Sequence, residues 1–174
     1  MSRDGGALWK LTFKDAQNPA AGADLEMLLN GGEVPYMSKP DNITVSHDGK
    51  YVLMQEDPGN NALLARIIAY RVSDSKLAVL GQFDSNKFLK GGSEFMTEDE
   101  ESSGIIDATE MLAKPGDKSS YFFFNAQIHA LATIARPDFT GRSVAKKDAI
   151  NTATIEGGQF YIMTISNWDT VFAG

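Results

Sequence analysis

The sequence predicts an all-β protein. Short apolar runs separated by turn signals outnumber helical periodicities, hairpin dipeptides punctuate them, and one strand-like phrase recurs near both ends. The chain has 174 residues, 43% hydrophobic and 22% charged, the size of one ordinary domain and the composition of a globular one.

Taken in order, "ALWKLTF" (7–13) reads as a strand running into the polar turn "KDAQNP". Residues 24–29 are expected to form a turn of helix. "NITVS" (42–46) meets His47 and the hairpin signal Asp48-Gly49, which leads into "KYVLMQ" (50–55). "ARIIAYRV" (65–72) ends at "SDS" and resumes as "KLAVLGQF" (76–83). "SSGIID" reads as a strand entering a core, and residues 107–113 as a turn of helix. "YFFFNAQIHA" (121–130) and "GGQFYIMTIS" (157–166) are further strands, with a long polar loop expected over 136–156.

"GGALWKLTF" (5–13) and "GGQFYIMTI" (157–165) align residue for residue, with Thr12 and Thr164 in register. Recurring units of four short strands, each of roughly 40–50 residues, are the signature of a β-propeller. Residues 41–83 fit one such blade as strand, turn, strand, loop, strand, turn, strand. The expectation is a partial β-propeller of two to three blades in a single domain over 1–174, with a β-sandwich as the alternative. Closure normally takes at least about four blades. Either the chain is a fragment of a longer propeller, or another copy or another chain completes the ring and covers exposed sheet edges.

The formal net charge of −7 and a pI near 4.8 argue against nucleic acid or an anionic membrane as partner and suit cation binding. The one basic cluster, Arg142 with Lys146 and Lys147, is too short to change that. With no cysteine, disulfides, thiol catalysis and zinc–thiolate sites are excluded. The longest apolar run, near Tyr121–Phe124, is too short to span a bilayer. "MSRDGGALWKL" lacks the charged-then-apolar order of a signal peptide. P-loop, dinucleotide, zinc-protease and nucleophile-elbow motifs are absent.

What remains is oxygen chemistry. "QEDPGNN" (55–61) sets carboxylates and carboxamides around a Pro-Gly turn after an apolar strand, and hard cations take about six to eight oxygen ligands. A plain turn is the competing reading. Glu98, Asp99, Glu100 and Glu101 stand in a row, and strand alternation would send the first and third one way and the other two the opposite way. A cation would relieve their repulsion; a solvated loop is the alternative. Of the two histidines, His47 reads as an exposed turn residue, and His129 as either a rim histidine or a site residue.

"PDNITVSHDGKYVLMQEDPGNNALLARIIAYRV", "DEESSGIIDATEML", "FFFNAQIHA" and "EGGQFYIMTI", in that order, resemble the C-terminal portion of the PhoX-type alkaline phosphatase-like family of bacterial β-propellers. The resemblance implies a secreted or periplasmic phosphomonoesterase with calcium, and iron as a further candidate, held mostly by carboxylates near the propeller axis. One iron ligand of that family is a cysteine from an earlier part of the chain, and this sequence contains none. The candidate metal ligands are Glu56, Asp57, Asp99, Glu100 and Glu101. Arg66 and His129 are candidate catalytic residues, Arg66 by gripping a phosphate unless it pairs with a neighbouring carboxylate. Asn60, Asn61 and Gln127 are candidate contacts to a phosphate ester or other small substrate. A non-catalytic calcium-stabilised segment or partner-binding scaffold, and a propeller esterase or lactonase, are the competing functions.

Overall fold

The computed structural model describes residues 5–59, 63–129 and 157–173. Over these residues the chain is all-β, with nine strands in three antiparallel sheets. β1 (Leu8–Phe13) pairs with β2 (Ala23–Leu29). β3 (Pro40–Val45), β4 (Tyr51–Glu56), β5 (Arg66–Arg71) and β6 (Lys76–Gln82) form a four-stranded meander. β7 (Glu100–Asp107), β8 (Ser120–Ile128) and β9 (Gly157–Ile165) form the third sheet. Three single-turn helices accompany them: α1 (Ser85–Phe88), α2 (Thr109–Leu112) and α3 (Trp168–Val171).

The meander has the strand order expected for 41–83, and α2 falls inside the helical turn expected over 107–113. The helical turn expected over 24–29 is wrong. Asp24, Leu25, Glu26 and Met27 alternate with period two, and β2 sets Leu25 and Met27 opposite Leu11 and Trp9 of β1. The polar loop expected over 136–156 lies outside the described residues.

The β3–β4 hairpin turns where Asp48-Gly49 predicts. Gly49 has φ +72°, its N–H bonds to the Ser46 carbonyl at 2.7 Å, and the Ser46 N–H bonds to the Tyr51 carbonyl at 2.8 Å. β4 is buried along its whole length because the meander is the middle layer. From one of its faces Tyr51 and Leu53 pack with Ile67, Ala69, Ile105, Phe122, Ile165 and Phe172. From the other, Val52 and Met54 pack with Leu8, Leu29, Met37, Ile68 and Tyr70. Two separate cores, one per face, therefore tie the three sheets together.

Residues 166–173 close the end of the first core. Trp168 stacks on Tyr51 at 3.8 Å between ring centroids, meets Phe122 edge-on, and donates its indole N–H to Ser120 Oγ at 2.9 Å. No helix of the described residues is long and apolar enough to cross a membrane.

Candidate functional site

The end of β4 and the start of β7 lie side by side, and each delivers acidic residues to the same place. Beyond β4, Asp57 opens a tight turn in which its Oδ1 accepts the Gly59 N–H at 3.0 Å, with Gly59 at φ +64°. On β7, Glu101 stands opposite Gln127 of β8, so their side chains share one face of the sheet. The His129 N–H bonds to the Asp99 carbonyl at 2.8 Å and extends that ladder by one step. His129 Nε2 consequently lies 3.6 Å from Glu101 Oε1.

The Asp57 carboxyl group lies close to that of Glu101. Burial first, and then the Asp57 charge, push the Glu101 carboxyl above its ordinary range, with His129 pulling the other way. Asp57, Glu101, Gln127 and His129, drawn from three separate stretches of sequence, thus form one cluster. It combines two crowded carboxyl groups with an imidazole and a carboxamide.

The acidic run is not a solvated loop. Glu98 is buried and ion-paired with Lys90 at 2.6 Å. Asp99, half-buried, donates its N–H to Thr97 Oγ1 at 3.0 Å. Glu100 is 1% exposed, and its Oε1 accepts the Ala65 N–H at 3.1 Å while Oε2 has no hydrogen-bond partner among the described residues. Burial raises the Glu100 carboxyl to about 7. Gln55 Nε2 and Ser102 Oγ are likewise buried without a partner among the described residues, although Gln55 Oε1 accepts the Ile105 N–H at 3.0 Å.

Glu56 and Arg66 meet each other. Arg66 Nη2 and Nε reach Glu56 Oε1 and Oε2 at 2.6 and 2.7 Å, a forked pair that is almost fully buried. The Ser38 N–H donates to the same Glu56 Oε1 at 2.6 Å, and Arg66 Nη2 also donates to the Tyr36 carbonyl. This is the carboxylate-pairing alternative for Arg66. Asn60 and Asn61 lie outside the described residues.

Two carboxylates, a carboxamide and an imidazole are donors that suit a hard divalent cation, with iron accommodated by the imidazole. Among the described residues, however, no three His, Asp or Glu side chains are spaced to enclose a metal ion by themselves. The cluster can therefore supply part of a coordination shell, not all of it.

The sequence did not point to a second concavity, at the opposite ends of β4 and β7. It is a cleft of about 710 Å³ lined by His47, Asp48, Tyr51, Asp117, Trp168 and Asp169 among others. His47 is exposed in the hairpin turn and donates its backbone N–H to Asp107 Oδ2 at 3.1 Å, joining the meander to the end of β7. The available signal was "NWD" directly after β9, an aromatic between polar residues.

The chain matches no protein-family model, no curated protein and no solved structure.

Proposed function

We propose that the chain belongs to the β-propeller class, its three sheets being successive blades, with the four-stranded meander as the complete one. Support comes from the meander's order and from the two cores on its opposite faces. Within that class, the proposed protein is a PhoX-like, metal-dependent phosphomonoesterase acting outside the cytoplasm, of which this chain contributes one wall of the site.

The observation that carries this reading is the convergence of Asp57, Glu101, Gln127 and His129. Crowded carboxyl groups are stabilised by a cation, and calcium or iron bound there would neutralise phosphoryl oxygens. Gln127 can donate to a phosphoryl oxygen, and His129, held against Glu101, can pass a proton to the leaving oxygen.

Calcium titration by calorimetry, paired with hydrolysis of p-nitrophenyl phosphate, tests it. The wild-type chain is expected to bind calcium, and Glu101→Gln to weaken binding by about tenfold or more. No calcium heat, and a melting temperature indifferent to chelator, would overturn it. A panel of aryl esters and lactones separates phosphate chemistry from an esterase or lactonase.

A second reading, a calcium-stabilised scaffold without turnover, is favoured by one feature. Arg66 is committed to Glu56, so the arginine suited to grip a phosphate is engaged elsewhere. Calcium binding without hydrolysis of any ester would select this reading.

A further inference from the structure

The two end sheets each leave an apolar face in solvent. On the β1–β2 hairpin, Trp9, Leu11, Phe13, Leu25 and Met27 are each about half exposed or more. The register sets Trp9 opposite Met27 and Leu11 opposite Leu25, so these side chains share one face. On the third sheet, Ile106, Phe123 and Ile162 stand opposite one another across β7, β8 and β9, and Phe160 lies two residues along the same face of β9. Phe160 is 90% exposed and Ile162 58%. The hairpin face carries no charged side chain among its apolar ones, whereas the third-sheet face runs from its apolar rows into the polar Ser103–Asn125 and Glu101–Gln127 pairs at the start of β7.

The repeated phrase orients these faces. Aligning "GGALWKLTF" with "GGQFYIMTI" sets Trp9, Leu11 and Phe13 against Tyr161, Met163 and Ile165. Ile165 and Met163 belong to the core that the third sheet shares with the meander. The equivalent face of β1 points away from the meander, because Leu8 and Leu29 are what the hairpin contributes to the second core. Each sheet thus packs one kind of face on its predecessor and offers the other kind to its successor. The hairpin has no predecessor in the described residues, and the third sheet has no successor there.

We propose that a second copy of this chain docks head to tail, the Ile106–Phe123–Ile162–Phe160 face of one copy covering the Trp9–Leu11–Phe13–Leu25–Met27 face of the next. The contact repeats the sheet-on-sheet packing already made within the chain. At roughly 100 Å² of exposed apolar area per large side chain, the eight exposed ones would bury on the order of 800 Å², to which half-buried Phe123 and a polar rim add toward the ~1,000 Å² of a specific interface. Because the two faces differ, the contact is heterologous and continues until a ring closes. It rests on the layered packing and the exposed faces; Glu101 and Gln127 of the proposed cation site lie at the end of the same face of the third sheet, beyond the residues altered below.

Sedimentation velocity tests it with two variants, Leu11→Lys/Leu25→Lys and Phe160→Lys/Ile162→Lys, whose altered residues are exposed. Wild type is expected to sediment above the monomer in a concentration-dependent way, each variant alone as a monomer, and their equimolar mixture as a dimer. A second arm uses the absence of native cysteine. Under mild oxidation, single-cysteine chains Leu25→Cys and Ile162→Cys should form a mixed disulfide when combined and little when kept apart. A monomeric wild type would assign the faces to sheets of a different chain and overturn the proposal. Undiminished self-association of either lysine variant, or disulfides formed equally by each cysteine variant alone, would also overturn it.

Discussion

Glu100 shows how one buried side chain can set a pH dependence. Its carboxyl rises from an ordinary 4.5 to about 7 on folding, chiefly through burial, against the opposing bond from the Ala65 N–H. The folded state therefore holds a proton that the unfolded state releases. Stability from this group is complete below pH ~4.5, falls as pH rises toward ~7, and is lost above that. In calcium-free buffer, Glu100→Gln should remove this slope and stabilise the chain at pH 8 by on the order of 3 kcal/mol, read by urea unfolding at several pH values. Parallel pH profiles for variant and wild type would refute the assignment. The Glu56–Arg66 pair predicts the opposite sign. Arg66→Met leaves the Glu56 carboxylate buried without its forked partner and should cost about 3–5 kcal/mol, whereas the double variant Glu56→Leu/Arg66→Met should recover most of it. An Arg66→Met chain with an unaltered urea midpoint would contradict this.

At the scale of elements, α3 is four residues long, too short to be helical on its own. Asn167 caps it by accepting the Asp169 N–H at 2.9 Å, and Trp168 and Phe172 anchor it against Tyr51. Trp168→Ala should cost about 3–5 kcal/mol in urea unfolding, since it opens a cavity over Tyr51 and Phe122. A loss below about 1 kcal/mol would mean that the segment is not part of the core. β7 needs Gly104 for a different reason. There φ is +62°, the pairing with β8 shifts between Ser103 and Ile106, and an added Cβ would sit 3.0 Å from Asn125 Oδ1. The irregularity separates the polar start of β7, with its carboxylates, from the apolar end that enters the core.

For the whole molecule, burial is graded along the stack of sheets. β4 and β5 lie between the two cores, whereas the β1–β2 hairpin contributes Leu8, Leu29 and half-buried Leu28 and leaves most of the rest of its strands exposed. Amide hydrogen exchange on a chain held monomeric by lysine substitutions should be slowest for β4 and β5 and fastest, among the strands, for β1 and β2. Equal protection of the hairpin and the meander would show that the layers do not open separately. Covering the hairpin by a second copy should slow its exchange in a concentration-dependent way, while β4 and β5 remain unchanged.

By itself the sequence determined the all-β class, the meander and every strand but Ala23–Leu29, because apolar alternation and the Asp48-Gly49 turn are local signals that do not depend on distant residues. It also marked Asp57, Glu101 and His129 as candidates through their position beside apolar strands, and Gln127 through the family resemblance. Only the tertiary structure decided which of them meet. Asp57 and Glu101, 44 residues apart, converge because β4 of one sheet lies close to β7 of another, an approach that no local pattern encodes. Neighbouring Glu56 goes instead to Arg66, since successive residues at a strand end point to opposite sides. The strand at 23–29 was legible in the Asp24–Met27 alternation, yet it became a strand because β1 was there to pair with it. Local spacing sets what a segment can be, and the partner surface across the sheet selects which side chains are buried, paired or left to face another sheet.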